Sequence, residues 1–404
     1  MIKREIYMKR IRPFMGTELI KVITGIRRSG KSVMLELIQE ELLERGVEKE
    51  QIININFEQM SNAYLCNAKS LHEEITSRVN EINGKAYLFF DEMQEVKDWE
   101  KFINSCRVDF DCDIYITGSN AKLLSGELAT YIAGRYVEFV IYPFSFGEFL
   151  DMYKQEDIEK DMASAFNDYL VMGGMPSIAR FISNKEANYQ YLNDIYNSVV
   201  LKDIVKRNNI RNVDLLERII RFLFSNIGHT FSATSITKYF RNENRSVSND
   251  TILNYIKACE SAFLFYPVRR QELVGKKILS VNEKVYVADH GLREAVFGGN
   301  ARDIDQILEN IVYMELLRRG YSVTVGLIGA KEIDFVCEKK GDKLYVQVSY
   351  LLASEETVAR EFGAYRGIKD NYPKYVVTMD TLDMSRDGIK HCNIKDFLLK
   401  EEWK

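Results

Sequence analysis

The segment that most constrains this chain is GIRRSGKS, which runs from Gly25 to Ser32. It fits the pattern G-x-x-x-x-G-K-[ST] and lies between a predicted strand, Leu19 to Thr24, and a predicted amphipathic helix that ends at Gly46. Glycines let such a loop fold so that several backbone N–H groups point at a phosphate, and the amino end of the helix adds a favourable dipole. The segment therefore predicts a site for a nucleoside triphosphate.

Two side chains of this loop have specific predicted roles. Lys31 brings a positive charge to the β and γ phosphates, and the hydroxyl of Ser32 is a ligand for Mg²⁺. The predicted nucleotide-binding residues are Gly25, Arg28, Ser29, Gly30, Lys31 and Ser32.

An acidic pair follows the next strongly apolar segment, YLFFDE, from Tyr87 to Glu92. Such a continuous apolar run is typical of a parallel strand that is covered on both faces. At the end of the strand, Asp91 is predicted to hold Mg²⁺ directly or through water, and Glu92 to polarise the attacking water. Adjacent acids are also common at helix starts, but their order after the glycine loop favours the catalytic interpretation.

Two further elements are candidates for catalysis. The strand DIYITGSN ends in Ser119 and Asn120, and either side chain is predicted to bind the γ-phosphate or the attacking water, with Asn120 as the catalytic candidate. The alternative is an ordinary strand-to-helix turn in which Ser is the N-cap. Arg135 is predicted to stabilise charge in the transition state, in cis or across a subunit contact, and the alternative is a surface arginine.

Strands and helices alternate over the first third of the chain, which predicts an α/β domain with a parallel sheet at 1–147. A helical linker or lid is predicted at 148–211, interrupted by VMGGMPS. Three helices, the strand LFYPVRR and a basic turn then predict a winged helix-turn-helix at 212–280. The last segment, 281–404, reads as a second, smaller α/β domain.

The charge of the chain is unevenly distributed. Residues 201–280 contain 14 Lys and Arg against 7 Asp and Glu, a net charge of +7, whereas the remaining residues carry −11. A basic module in an acidic protein suggests a polyanionic partner, here duplex DNA. The predicted outer face of the recognition helix is Asn249, Thr251, Asn254 and Lys257. Phosphate contacts are predicted for Arg241, Arg245, Arg269, Arg270, Lys276 and Lys277. Winged helices also serve as protein-interaction modules and as ATPase lids, and these alternatives stay open.

Taken in order, GIRRSGKS, YLFFDE, TGSN, AGR and YPFSFGEFL resemble the AAA-type ATPases of bacteria and archaea that carry a C-terminal domain of uncharacterised function. The resemblance covers nearly the whole chain. It implies a parallel-sheet P-loop NTPase domain of AAA-like fold, a winged-helix region and a nuclease-like terminal fold. It also implies ATP rather than GTP as the nucleotide.

The terminal domain resembles the restriction-endonuclease-like fold, in which a helix glutamate, a strand aspartate and a Glu-x-Lys segment assemble a magnesium site. Glu309 and Asp334 stand where the first two are expected. Gln347 and Ser349 replace the acid and the lysine of the third. A neutral Gln balances no metal charge and Ser supplies no ammonium, so the resemblance implies a degenerate site kept for binding or structure.

Three functions follow as hypotheses: an ATPase coupled to DNA through the basic module, an ATP-dependent switch that signals to a protein partner, and an ATP-gated, metal-dependent nuclease. A homo-oligomer is expected if Arg135 acts in trans. The six cysteines are scattered without metal-binding spacing and are expected to be reduced. We expect a cytoplasmic protein, because the basic amino-terminal segment lacks an apolar stretch and no membrane-spanning run follows.

Overall fold

A computed structural model of the chain describes residues 1–121, 134–182, 184–242, 246–273, 277–297 and 303–404, with the backbone alone over 277–282. These residues form two compact units. The first comprises Met1–Tyr142 with Ser261–Phe263, and the second comprises Pro143–Glu260 with Leu264–Lys404.

The first unit is a parallel sheet with helices. Its strands are β1 (Ile20–Thr24), β2 (Ile52–Asn56), β3 (Ala86–Asp91), β4 (Cys112–Gly118) and β5 (Tyr136–Val140), and its helices are α1 (Glu5–Ile11), α2 (Lys31–Glu44), α3 (Ala68–Val79) and α4 (Trp99–Asp109). The strand order is β2-β3-β4-β1-β5, and every pair is parallel. The predicted α/β domain is therefore confirmed as a parallel five-stranded sheet.

The core of this unit explains why the apolar runs become strands. All five residues of β1 are buried, and Leu88 and Phe90 of β3 pack with Phe102 of α4 in one apolar cluster. On the other face of β3, Phe89 stacks on Tyr115 of β4 with 4.5 Å between ring centroids. Because both faces of such a strand are covered, its sequence is a nearly continuous apolar run and does not alternate between polar and apolar residues.

The second unit begins with helices. They are α5 (Phe146–Gln155), α6 (Met162–Met172), α7 (Lys185–Ser198), a π-helical continuation (Val199–Lys206), α8 (Val213–Ser225), α9 (Ala233–Asn242), α10 (Asn249–Ser261), α11 (His290–Phe297), α12 (Ile304–Arg318), α13 (Glu355–Gly363) and α14 (Ile394–Leu399). The start of α5 has a simple cause. Ser145 and Glu148 of the YPFSFGEFL segment form a reciprocal capping box, which satisfies two N–H groups of the first turn.

A mixed eight-stranded sheet completes the second unit. Its strands are β6 (Thr230–Phe231), β7 (Phe265–Glu272), β8 (Lys277–Val287), β9 (Ser322–Ile328), β10 (Lys331–Lys339), β11 (Asp342–Val348), β12 (Lys374–Thr378) and β13 (Lys390–Asn393), in the order β13-β12-β11-β10-β9-β7-β8-β6. β8 pairs antiparallel with both β6 and β7, and β7 continues in parallel to β9. The sequence predicted neither β8 nor β13 as a strand.

The VMGGMPS segment, at the end of α6, contacts the loop before α11. Gly173 has φ 74° and ψ −162°, a backbone conformation that is essentially restricted to glycine. The N–H of Gly174 donates to Asp289 Oδ2 at 2.6 Å, and Gly174 O accepts from the N–H of Phe144 at 2.6 Å. The paired glycines therefore let two backbone segments approach closely.

Replacing Gly173 with alanine is expected to destabilise the second unit by about 3 kcal/mol, because backbone strain and overpacking each cost about 1–3 kcal/mol. An added Cβ would lie 2.2 Å from Asp289 Oδ1 and 2.7 Å from Gly291 N. Urea unfolding followed by Trp403 fluorescence in a Trp99→Phe background measures this effect. Gly329→Ala is the matched control, since Gly329 also has a positive φ (59°) but no atom within 4 Å of the added Cβ. Equal losses in the two variants would contradict the close-approach explanation.

No helix within the described ranges is both long enough and apolar enough to cross a membrane.

Candidate functional site

The GIRRSGKS loop connects β1 to α2 at the carboxyl edge of the first sheet. Gly25, Arg28 and Gly30 have φ values of 139°, 69° and 96°, so the chain turns sharply within a few residues. A Cβ on Gly25 would lie 2.2 Å from the carbonyl oxygen of Ile141, which explains the glycine at this position. The hydroxyl of Ser29 is buried without a hydrogen-bond partner in the described part of the chain. Such an orphaned polar atom fits a loop that binds phosphate.

Lys31 lies at the first position of α2 and is 5% exposed. Its Nζ donates to the carbonyl oxygens of Gly25 and Ile26, each at 3.2 Å, and lies 3.9 Å from Glu92 Oε1. The ammonium is therefore held inside the curve of the loop, next to the second residue of the acidic pair.

Ser32 and Asp91, the two residues predicted to hold Mg²⁺, are in contact. Ser32 Oγ donates to Asp91 Oδ2 at 2.7 Å, and the amide of Asn56, at the end of β2, donates to the same oxygen at 2.8 Å. Hydroxyl and carboxylate oxygens are the ligands that Mg²⁺ prefers, together with substrate phosphates and waters. The two side chains are close enough to share one cation.

Glu92, like Arg28, has an uncommon backbone conformation. Its φ of 57° and ψ of 49° are left-handed, a conformation that non-glycine residues adopt rarely and that clusters at functional sites. Its N–H donates to Thr117 Oγ1 at 2.9 Å, and its carboxylate accepts from the side chains of Gln94 and, at 3.4 Å, Ser119. These bonds hold the carboxylate beside Lys31.

Thr117 is a site residue that sequence reasoning missed. Its hydroxyl donates to Asp91 Oδ1 and accepts from the Glu92 N–H, so it contacts both members of the acidic pair. Ser119 and Asn120, which the sequence favoured, are both buried close by. A clue was available, because Thr117 is near the end of a buried strand, where the carboxyl ends of parallel strands meet.

Arg4 is a second missed residue. Its buried guanidinium donates to Ser29 O at 2.8 Å and to Tyr142 O at 2.7 Å, and it stacks over the ring of Tyr7. The segment before β1 is therefore hydrogen-bonded to the phosphate-binding loop through Arg4. No pattern in the sequence pointed to this contact.

Arg135 is placed away from the site. It is exposed, it directly precedes β5, and its Nη1 lies 3.4 Å from Asn104 Oδ1. Since β5 runs parallel to β1, this position is at the amino edge of the sheet, one strand length of about 17 Å from the P-loop edge. A role in cis is therefore not supported, and a role in trans stays a prediction.

The predicted DNA-binding residues are partly solvent-facing. Asn249, Asn254 and Lys257 of α10 are exposed, and Thr251 is half-buried beside Ser248. Arg241 and Arg269 are also exposed.

Other predicted phosphate contacts are less accessible or lie outside the described residues. Arg270 Nη2 lies 3.4 Å from Glu332 Oε2, in an ion pair. Arg245 and Lys276 are outside the described residues, and only the backbone of Lys277 is described.

The residues predicted to form a degenerate nuclease site lie around an ammonium that the sequence did not reveal. Lys284 of β8 lies among Glu309 of α12 and Glu332 and Asp334 of β10. The amide oxygen of Gln347 accepts from the Asp334 N–H at 3.2 Å. Burial and the Glu309 charge raise the pKa of Asp334 to about 7, against the opposing effect of Lys284. An ammonium is therefore present among these carboxylates, although the sequence has Ser349 where the resemblance expects a lysine.

Comparison with known proteins gives matches along the chain. The family described as "AAA domain" matches residues 17–150, and a domain of unknown function (DUF8612) matches residues 163–303. An uncharacterised protein from Haemophilus influenzae is 38% identical over 401 residues, which is 99% of each chain. An uncharacterised protein from Methanocaldococcus jannaschii is 29% identical over 369 residues, 87% of this chain and 79% of that one.

Among solved structures, a Walker-type ATPase of Pyrococcus abyssi is similar with a TM-score of 0.53 and 12% identity. The match covers 73% of this chain and 96% of that one. At this identity the likeness concerns the fold alone.

Proposed function

The chain contains an AAA domain and belongs to the same family as the uncharacterised Haemophilus influenzae protein, and from this premise we propose that it hydrolyses ATP with Mg²⁺ and couples hydrolysis to a basic module that acts on duplex DNA. The observation that carries the proposal is the arrangement of Ser32, Asp91, Glu92 and Lys31 at one edge of the sheet. Each side chain lies within hydrogen-bonding or ion-pair distance of another member of the group.

In this proposal each side chain has one task. Ser32 and Asp91 hold Mg²⁺, which neutralises charge on the β and γ phosphates. Lys31 turns from the loop carbonyls to the phosphates. Glu92 orients the attacking water and accepts its proton, while Thr117 fixes the backbone of the acidic pair.

We propose the finer domain division that the sequence indicates: an ATPase domain at 1–147, a helical linker at 148–211, a winged helix at 212–280 and an endonuclease-like domain at 281–404. The order α8-β6-α9-α10-β7-β8 supports the winged helix, because β8 pairs with both β6 and β7. Since β8 crosses the boundary at residue 280, the strand pairs of this winged helix extend to Val287. The order α12-β9-β10-β11-α13-β12, with β11 parallel to β12, supports the terminal fold.

The exposed side of α10 supports DNA as the partner. Asn254 and Lys257 face solvent on a helix of 13 residues, and Arg269 is exposed on β7. Amide and ammonium groups suit base edges and phosphates respectively. The competing hypothesis is that a protein binds the same face of α10. The experiment below distinguishes a DNA partner from a protein partner.

Duplex DNA is expected to stimulate steady-state ATP hydrolysis, with an apparent affinity that falls steeply between about 50 mM and about 200 mM NaCl, because phosphate contacts release counterions. The Lys257→Ala/Arg269→Ala variant should lower the slope of log K against log salt by about 2, or about 1 for each lost contact. Its hydrolysis without DNA should stay unchanged.

Lys69→Ala/Lys154→Ala is the matched control, since it removes two exposed positive charges from outside the basic module. Its DNA stimulation should equal that of the wild type. Lys31→Ala in each series shows how much hydrolysis comes from contaminating enzymes. If the rate of ATP hydrolysis at low salt does not change when DNA is added, the result would instead favour a switch that acts on a protein partner.

A further inference from the structure

A buried lysine lies at the centre of the carboxylate cluster, which we define as Glu309, Glu332 and Asp334. The Nζ of Lys284 lies 2.8 Å from Glu309 Oε1, 2.9 Å from Glu332 Oε1 and 3.4 Å from Asp334 Oδ1. The side chain of Lys284 is 5% exposed. One ammonium therefore contacts three carboxylates, as a small coordinated cation would.

Other donors satisfy most of the remaining oxygens of the carboxylate cluster. The Tyr286 hydroxyl also donates to Glu309 Oε1, and the Val348 N–H donates to Asp334 Oδ2 at 2.9 Å. Arg270 Nη2 lies 3.4 Å from Glu332 Oε2. Both oxygens of Glu332 and of Asp334 thus already have a partner from the protein.

The charge balance argues against a metal beside this lysine. Lys284 and Arg270 supply two positive charges against at most three negative ones, so little net negative charge is left. A Mg²⁺ ion bound to the same oxygens at about 2.1 Å would lie within a few ångströms of the ammonium and be repelled by it. Across the described ranges, no group of three or more His, Cys, Asp or Glu side chains is arranged to hold a metal ion.

We propose that the ammonium of Lys284 occupies the cation position of the carboxylate cluster, so that the wild-type protein takes no divalent metal there, and that removing this ammonium opens a site for one divalent cation. Lys284 also joins β8 to α12 and β10 by ion pairs. The terminal part of the chain then keeps the cluster as a charge-based connection and not as a centre for metal-dependent phosphodiester cleavage.

Binding of Mn²⁺, followed by the loss of its free electron-paramagnetic-resonance signal in nucleotide-free protein, tests the proposal. Wild type and Asp334→Asn should bind the same number of ions. Lys284→Ala should bind one more per chain, and Lys284→Ala/Asp334→Asn should lose that additional ion. The phosphate-binding loop is the same in all four proteins, so the differences report the carboxylate cluster alone.

Three results would overturn the proposal. Wild type that binds one Mn²⁺ more than Asp334→Asn would show that the cluster holds metal beside the lysine. Folded Lys284→Ala without the extra ion would show that the ammonium does not stand in for one. DNA cleavage by wild type with Mn²⁺ that is lost in Asp334→Asn would show a working metal centre.

Folding of the variant needs its own check, because Lys284→Ala leaves three carboxylates facing one another, with Asp334 among them buried. If it unfolds, Lys284→Met/Glu332→Gln keeps the side-chain volumes, removes the ammonium and leaves only two carboxylates in the cluster. Its melting temperature should then rise with Mn²⁺ by more than that of wild type, in which Mn²⁺ can act only at the Ser32 and Asp91 site. If Mn²⁺ raises the melting temperature of this variant no more than that of wild type, the proposal is contradicted. The comparison of Mn²⁺ binding by wild type and Asp334→Asn does not depend on any variant that lacks Lys284.

Discussion

Replacing Glu92 with glutamine is expected to lower the kcat of ATP hydrolysis about 100- to 10,000-fold, because a positioned general base contributes a factor of that size. Glutamine has nearly the same shape but accepts no proton from water. Its amide still meets Gln94 and Ser119, so the local backbone should keep its form. ATP affinity, measured by equilibrium binding of a fluorescent ATP analogue, should change less than about threefold.

Comparison of Glu92→Gln with Lys31→Ala distinguishes the role of a general base from that of a group that binds phosphate. Lys31 is held within the phosphate-binding loop by the carbonyls of Gly25 and Ile26, so its removal should weaken nucleotide binding as well as hydrolysis. Glu95→Gln is the matched control for Glu92→Gln. Glu95 lies in the same short turn but is exposed, and its replacement should leave kcat within about twofold. A Glu92→Gln protein that keeps more than about a tenth of the activity would show that another group activates the water.

Much of the arrangement of the candidate nucleotide site could be predicted because its main residues are local in sequence. Lys31 and Ser32 lie in one loop, Asp91 and Glu92 follow one strand, and both segments have apolar strands before them. Thr117 escaped prediction although its strand was recognised. Which residue of β4 lies against the acidic pair depends on the alignment of two neighbouring strands, and that alignment is a property of the packed sheet.

Lys284 escaped prediction for a related reason. Its strand, β8, begins in the basic segment VGKK, and the sequence indicated only a turn there and no strand after it. Alternation along the strand places Lys284 and Tyr286 on the same face, toward Glu309. Contacts between residues 25 and 50 positions apart arise only when the sheet order β9-β7-β8 brings the strands together. The order of strands in a sheet cannot be deduced from local sequence patterns.

A buried ion pair near the amino ends of β1 and β4 gives the largest expected effect on stability. The ammonium of Lys21 pairs with Asp113, and both side chains are 0% exposed. Asp113 Oδ2 also accepts from the Gly16 N–H at 2.6 Å and from the Tyr115 hydroxyl at 2.8 Å. Asp113→Ala is expected to lower the free energy of unfolding of this unit by about 3–5 kcal/mol, because it leaves an uncompensated buried charge.

The loss should depend on pH in a direction that identifies its cause. Burial lowers the pKa of Lys21 even with the Asp113 carboxylate beside it, and removing that carboxylate lowers the pKa further. The unfolded chain then binds more protons than the folded one at pH values below the ordinary lysine pKa. Stability of Asp113→Ala relative to wild type should therefore increase as the pH is raised from 7 toward 10. A loss caused only by the cavity and by the unpaired Gly16 and Tyr115 groups would not change in this range.

Lys21→Met/Asp113→Asn separates the charge from the packing. Asparagine keeps an acceptor for the Gly16 N–H and the Tyr115 hydroxyl, and methionine fills most of the space of the lysine stem without a charge. Urea unfolding followed by Trp99 fluorescence in a Trp403→Phe background reports this unit. The double variant should lose less stability than Asp113→Ala, since replacing both members of a buried pair costs less than removing one. An equal or larger loss in the double variant would mean that the ion pair itself stabilises the sheet, beyond the cost of leaving one charge unpaired.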